Sequence, residues 1–178
     1  MNKTYPSAVI KAAQKIRLLL LDVDGVLTDG RLYYGNSGEE LKAFNIQDGL
    51  GIKLLQQSGI EVGIITGRRS DLLQRRAAEL SLSPVIQGRE DKWSALSELM
   101  ESSDINPEQI AFMGDDLPDL AVINRVGLGI TPANGNAAVA SQALWQTQKI
   151  GGDGAVREVA ELILEAQGKL DSLLATYQ

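Results

Sequence analysis

The sequence contains neither cysteine nor histidine. That double absence removes disulfides, thiolate or imidazole metal sites, Cys-His nucleophiles and Ser-His-Asp triads together. Any metal must then be held by oxygen, which points to a hard cation such as Mg2+, and carboxylates remain as the strong candidates for general acid and base chemistry. Long apolar runs are missing too. The longest, Leu18 to Leu21 extended by Val23, is too short to span a bilayer, and Met1 to Lys15 has no signal-peptide core. A cytoplasmic protein without a membrane partner is expected. Basic charge is in deficit: 17 Lys and Arg against 23 Asp and Glu give a net charge of -6, which disfavours a phosphate backbone or an anionic surface as ligand. Nucleic acid is not an expected partner.

What remains is an ordinary globular chain. At 178 residues, 44% hydrophobic and 22% charged, residues 1–178 suit one domain with a substantial core and exclude fibrous or disordered classes. Ala8, Val9, Ala12 and Ala13 after Pro6 predict a short helix, and Ile16 to Val23 a buried strand. Arg31 to Tyr34 and Glu40 to Phe44 flank the turn-forming Gly35-Asn36-Ser37-Gly38, the pattern of a β-hairpin. Beyond it, helices are predicted over Leu50–Gln57, Ser70–Leu80, Lys92–Glu101, Leu117–Arg125 and Ala155–Ala166. Strands are predicted at Glu61–Thr66, Val85–Ile86, Ile110–Gly114, Gly127–Ile130 and Ala143–Gln146, with a tail from Leu170 expected to be mobile. Strands alternating with helices mean parallel βαβ units, hence a doubly wound, mainly parallel α/β sheet. Ligands of such sheets lie beyond the carboxyl ends of the strands.

Those ends carry the polar residues of interest. The first strand runs into Asp22-Val23-Asp24-Gly25-Val26-Leu27-Thr28, where acids two apart point to the same side while the chain stays extended. Two acids at the end of a leucine-rich strand are costly to desolvate unless a cation or hydrogen-bond donors meet them. The next core strand ends in Thr66-Gly67-Arg68, a hydroxyl and a backbone N–H placed to hold an anion, although alone Thr66 reads as a helix cap. Lys92 stands at a helix start, where its charge suits the dipole poorly. A later strand leads into Gly114-Asp115-Asp116-Leu117-Pro118-Asp119, of which capping accounts for one acid and not three.

These elements in this order resemble the haloacid dehalogenase-like superfamily of phosphatases, with a Rossmann-type fold. The resemblance implies that Asp22 is the nucleophile, forming an aspartyl-phosphate, and that Asp24 is the general acid and base. It implies Mg2+ on the Asp22 and Asp115 carboxylates and the Asp24 backbone carbonyl, with Thr66 and Lys92 holding phosphoryl oxygens and Asp116 and Asp119 orienting Lys92 and metal-bound water. Only 44 positions separate Asp22 from Thr66 and 26 separate Thr66 from Lys92, too few for a cap domain. An open site then needs a neighbouring subunit to exclude water, and Tyr33, Tyr34 and Phe44 on the hairpin suit a subunit contact.

Val26 to Gly30, Phe44 to Gly49 and Gly151 to Val159 narrow the resemblance to a lidless tetrameric branch, the phosphatases of 3-deoxy-D-manno-octulosonate (KDO) 8-phosphate. This implies a homotetramer whose hairpins help complete neighbouring sites, and hydrolysis of that sugar phosphate in lipopolysaccharide precursor synthesis. Asn45, Ile46, Gln47, Asp48 and Gly49 would line the sugar site, with Arg68 and Arg76 meeting the substrate's anionic groups. The chain departs from the branch at Gln47 and Asp153, where arginine is usual. A phosphatase of a sialic-acid-type 9-phosphate would use the same fold and acids. An idle oligomerisation module of the same fold, and a receiver domain that merely accepts phosphate, fit less well with Asp22, Asp24, Lys92 and Asp115 all in place.

Overall fold

The computed structural model describes residues 5–36 and 40–177. Its centre is β1 (Leu18–Leu21), four leucines that are all buried. Leu19 and Leu21 enter one hydrophobic cluster and Leu18 and Leu20 the other, as the two-residue period of a strand buried on both faces requires. Around it lie β4 (Glu61–Thr66), β5 (Val85–Gln87), β6 (Ile110–Met113), β7 (Leu128–Thr131) and β8 (Trp145–Gln146). The order is β5-β4-β1-β6-β7-β8, with every pairing parallel. Helices α1 (Ser7–Ala13), α2 (Ile46–Gln57), α3 (Asp71–Leu80) and α7 (Ala155–Ala166) cover the Leu19 face. Helices α4 (Lys92–Glu101), α5 (Leu120–Ile123) and α6 (Ala137–Ala140) cover the Leu18 face. The expected doubly wound α/β sheet is present, and among the described residues no helix is long and apolar enough to cross a membrane.

Register brings the polar strand ends together. Leu21 pairs with Ile64 of β4 and Met113 of β6, so the residues that follow all three strands emerge along one edge. The backbone N–H of Asp22 still donates to the Met113 carbonyl, at 2.9 Å, which carries the ladder into the loop. Beyond it the backbone N–H groups of Val26, Leu27 and Thr28 all donate to the Val23 carbonyl. The Thr28 hydroxyl also donates to that carbonyl, at 3.3 Å, and accepts from the Gly25 and Gly30 backbone. Gly25 has φ of +90°, and a Cβ there would lie 2.1 Å from Asp115 Oδ2, so both backbone and space exclude a side chain.

Several boundaries differ from the sequence expectation. Helix α2 begins at Ile46 rather than Leu50, because the Asn45 side chain caps it by accepting from the N–H groups of Gln47 and Asp48. Its glycines, poor helix formers, are tolerated for packing: a Cβ at Gly51 would meet Arg157 and Ala160 of α7 at 3.0–3.2 Å. The expected helix over 117–125 divides into a 3-10 turn at Leu117–Asp119, capped by Asp116 around Pro118, and α5. Asn136 caps the unanticipated α6. The segment expected as a mobile tail carries α8 (Leu170–Ala175), whose Leu170 and Leu173 pack on the core. The hairpin is present as β2 (Tyr33–Tyr34) against β3 (Glu40–Leu41), and the Ser37-Gly38 part of its expected turn lies outside the described residues. Among the described residues it is the one sheet element between β1 and α2, and they form no cap domain there.

Candidate active site

At the carboxyl edge of the sheet, a cavity of about 580 Å³ is lined by Asp22 and Asp24 after β1, Thr66 to Arg68 after β4, Lys92 at the start of α4, and Asp115, Asp116 and Asp119 after β6. Gly30, Glu90 and Pro118, which the sequence did not single out, complete its wall. Lys92 is its electrostatic centre and is only 4% exposed. Its ammonium lies 2.9 Å from Asp22 Oδ1 and 2.6 Å from Asp119 Oδ1. Burial opposes that charge, but the two carboxylates more than offset it and hold Lys92 above the ordinary lysine range. Asp91 caps α4 through the Ser94 N–H, so Lys92 enters the cavity from a fixed helix end.

The acids divide by what satisfies them. Asp119 is fully engaged, with Oδ1 on Lys92 and Oδ2 accepting from the backbone N–H groups of Asp115 and Asp116 at 3.0 and 3.2 Å. Asp116 accepts from the Leu117 N–H and the Asn136 amide, so its carboxylate holds the loop rather than Lys92. Asp22 differs from both. Its buried Oδ1 is met by the Lys92 ammonium, an ion pair at 2.9 Å. Burial pushes the Asp22 carboxyl up, against the pull of Lys92. Asp115 is pushed up to about 7, first by burial and then by the negative charges of Asp22, Asp119 and Asp116.

Oxygens of Asp22, Asp115 and Asp119 lie within 4.8 Å of one another. With Asp119 spent on Lys92 and two N–H groups, Asp22 and Asp115 are the carboxylates left to take a cation. A buried carboxylate beside a second carboxyl whose ionisation is suppressed by its acidic neighbours makes a site that gains from a hard divalent ion. Asp24, two residues on, stands outside this cluster. Its two carboxylate oxygens meet Lys42 and Arg68 respectively, the latter at 3.3 Å. Lys42 was not anticipated, because nothing in a sequence marks an ion pair that a hairpin folds back across 18 positions.

Of the residues expected to meet substrate, Asp24, Arg68 and Lys92 line this cavity. Asn45, Ile46, Gln47, Asp48, Gly49 and Arg76 do not line the cavity of this chain. The Asp48 carboxylate is buried and accepts from the N–H groups of Gly154 and Arg157, fixing the start of α7 to the start of α2. Burial pushes that carboxyl up. Arg76 lies over the Phe44 ring, pairs with Glu79 at 3.2 Å and occupies the space a Cβ at Gly49 would need. Asn45 is a helix cap, while Ile46 and Gln47 are exposed.

A parallel sheet with a carboxylate pair after its central strand, a hydroxyl after the neighbouring strand, and a buried lysine bridged to acids after the other neighbour defines the haloacid dehalogenase-like class of hydrolases. Comparison with known proteins agrees. Residues 81–159 match the family model described as haloacid dehalogenase-like hydrolase. The 3-deoxy-D-manno-octulosonate 8-phosphate phosphatase KdsC of Escherichia coli K12 is 51% identical over 92% of this chain and 87% of its own. The phosphatase of the same name from Moraxella catarrhalis, solved in complex with magnesium ion, phosphate ion and a KDO molecule, superposes with a TM-score of 0.96 at 46% identity, over 98% of this chain and 100% of that one. The Yersinia pestis phosphatase gives 0.91 at 50% identity, over 93% and 89%. The chain belongs to the haloacid dehalogenase-like hydrolases and, within them, to the family of the KDO 8-phosphate phosphatases.

Proposed function

We propose that this protein is a Mg2+-dependent phosphomonoesterase that hydrolyses 3-deoxy-D-manno-octulosonate 8-phosphate to KDO and phosphate, a step that supplies lipopolysaccharide precursor synthesis in the cytoplasm. The observation that carries the reading is Asp22 Oδ1: buried, 2.9 Å from the Lys92 ammonium and clustered with Asp115. A carboxylate oxygen so placed is stripped of solvent and free to attack. The relatives reported above act on this sugar phosphate by name, and one is bound to magnesium, phosphate and KDO.

Asp22 Oδ1 attacks phosphorus in line, the bond from phosphorus to the sugar oxygen breaks, and Asp24 gives that oxygen its proton. Asp24 then takes a proton from water, which attacks the aspartyl-phosphate and releases phosphate with Asp22 restored. Thr66, the Gly67 backbone and Lys92 hold the remaining phosphoryl oxygens, and Asp119 keeps Lys92 aimed at them. The carboxylates of Asp22 and Asp115 and the Asp24 backbone carbonyl would hold Mg2+, which would supply the charge neutralisation that lets an anionic nucleophile approach an anionic ester. Arg68, on the cavity wall, meets the sugar carboxylate.

The assembly proposed is a homotetramer. Tyr34, Leu41 and Ile46 are 65–83% exposed at and beside the hairpin, an apolar surface that a second copy would cover. Gln47 and Arg76, which stand outside this chain's own cavity, would then face a neighbour's. Phosphate release across eight- and nine-carbon sugar-acid phosphates tests the reading. Fastest turnover of KDO 8-phosphate, lost in Asp22→Asn, supports it; preference for a nine-carbon 9-phosphate, or undiminished turnover in Asp22→Asn, refutes it.

A further inference from the structure

The Asp24 carboxylate is held by two cations, Lys42 beside the hairpin strand β3 and Arg68 in the loop after β4. One oxygen meets the ammonium of Lys42, which directly follows β3 and whose side chain is 2% exposed. The other lies 3.3 Å from Arg68 Nε, and the Arg68 guanidinium donates to the hydroxyl of Tyr34 in β2, at 3.4 Å. Both hairpin strands therefore reach Asp24, one directly and one through Arg68. An aspartate on a loop is free to turn about two side-chain bonds. A cation fixed at each oxygen removes that freedom and sets the plane of the carboxylate. Lys42 stands behind Asp24, its side chain buried and outside the residues that line the cavity.

We propose that Lys42, with Tyr34 acting through Arg68, is a positioning residue for the acid-base step, so that the hairpin serves the chemistry of its own chain. This rests on the assignment of Asp24 as acid and base. A poor alkoxide leaving group needs its proton delivered in the right direction, and water must be deprotonated along one line to reach the aspartyl-phosphate. Nitrophenolate departs without a proton, so phosphorylation of Asp22 by an aryl phosphate does not need the positioned acid.

The test uses the full chain with Mg2+, comparing KDO 8-phosphate with p-nitrophenyl phosphate in steady state and in the first turnover. Turnover by the unaltered protein and none by Asp22→Asn checks the underlying reading separately. Lys42→Met is expected to lower kcat on the sugar phosphate about 10- to 100-fold with KM within about twofold, the scale of a misdirected acid-base group. On the aryl phosphate it should show a burst of nitrophenolate followed by slow turnover, and Lys42→Arg should restore most of kcat. Tyr34→Phe should lower kcat on the sugar phosphate several-fold with KM again within about twofold, and it carries the test should Lys42→Met fail to fold. Unchanged kcat, a loss confined to KM, equal first-turnover losses for both leaving groups, or no rescue by arginine would each overturn the proposal.

Discussion

Replacing Lys92 by methionine keeps the length and volume of the side chain while deleting the one charge that Asp22 and Asp119 share. Both acids are buried, 8% and 1% exposed, at 2.9 and 2.6 Å from the ammonium. Removing one partner from a buried ionic cluster costs about 3–5 kcal/mol, because the charges left behind stay desolvated. For a domain of this size each kcal/mol lowers Tm by about 2–4 °C, so a fall of roughly 6–20 °C is expected at pH 8. The pH dependence separates this cause from simple misfit. Lys92 is held above its ordinary value, so its contribution is complete below that value and is lost only as pH rises through the raised one; the unaltered protein therefore keeps it at both pH 5 and pH 8. In the variant, Asp22 loses the pull that opposed its burial, and its already raised carboxyl rises further. A raised carboxyl penalises the folded state more as pH increases, so the deficit should shrink on acidification from pH 8 to pH 5 and also on adding Mg2+. Thermal melts at the two pH values, with and without Mg2+, read this directly. A deficit equal at both pH values, or none at pH 8, would refute the electrostatic account.

Gly25→Ala should abolish turnover and weaken Mg2+ binding measured by calorimetry, since the new Cβ would be driven into Asp115 from a backbone at φ of +90°. Asp48→Ala removes two charge-assisted bonds to the start of α7 and should cost about 2–4 kcal/mol in chemical denaturation; kcat of the folded fraction should be far less affected than in Gly25→Ala. Mg2+ affinity should rise with pH up to about 7 and level off above it, because the ion must displace a proton from Asp115. Calorimetric titrations between pH 6 and pH 8 check this, and a flat profile would contradict it.

Much of the site was legible because its residues sit where a local pattern ends. A leucine run turning into Asp-x-Asp-Gly, and a buried strand turning into Gly-Asp-Asp, mark strand ends without help from tertiary structure, and parallel register then brings them to one edge. The expected start of helix α2 falls at Leu50 because Gly49 argues locally against helix; only its close approach to Arg76 explains it. Asp48 reads as a free polar residue beside a site until α7, more than 100 residues later, presents its N–H groups to it. Lys42 and Tyr34 escaped for the same reason, since periodicity carries no information about which side chains a hairpin lays over a distant loop.

The central claim is that Asp22 itself carries the phosphoryl group. Rapid chemical quenching of the Asp24→Asn variant during its reaction with p-nitrophenyl phosphate and Mg2+, whose leaving group needs no proton, followed by proteolysis and mass spectrometry, tests it most directly. A phosphoryl-sized mass increment on the peptide bearing Asp22, localised to that side chain and absent from Asp22→Asn, is predicted. Phosphate release with no such adduct, or an adduct on another residue, would contradict it.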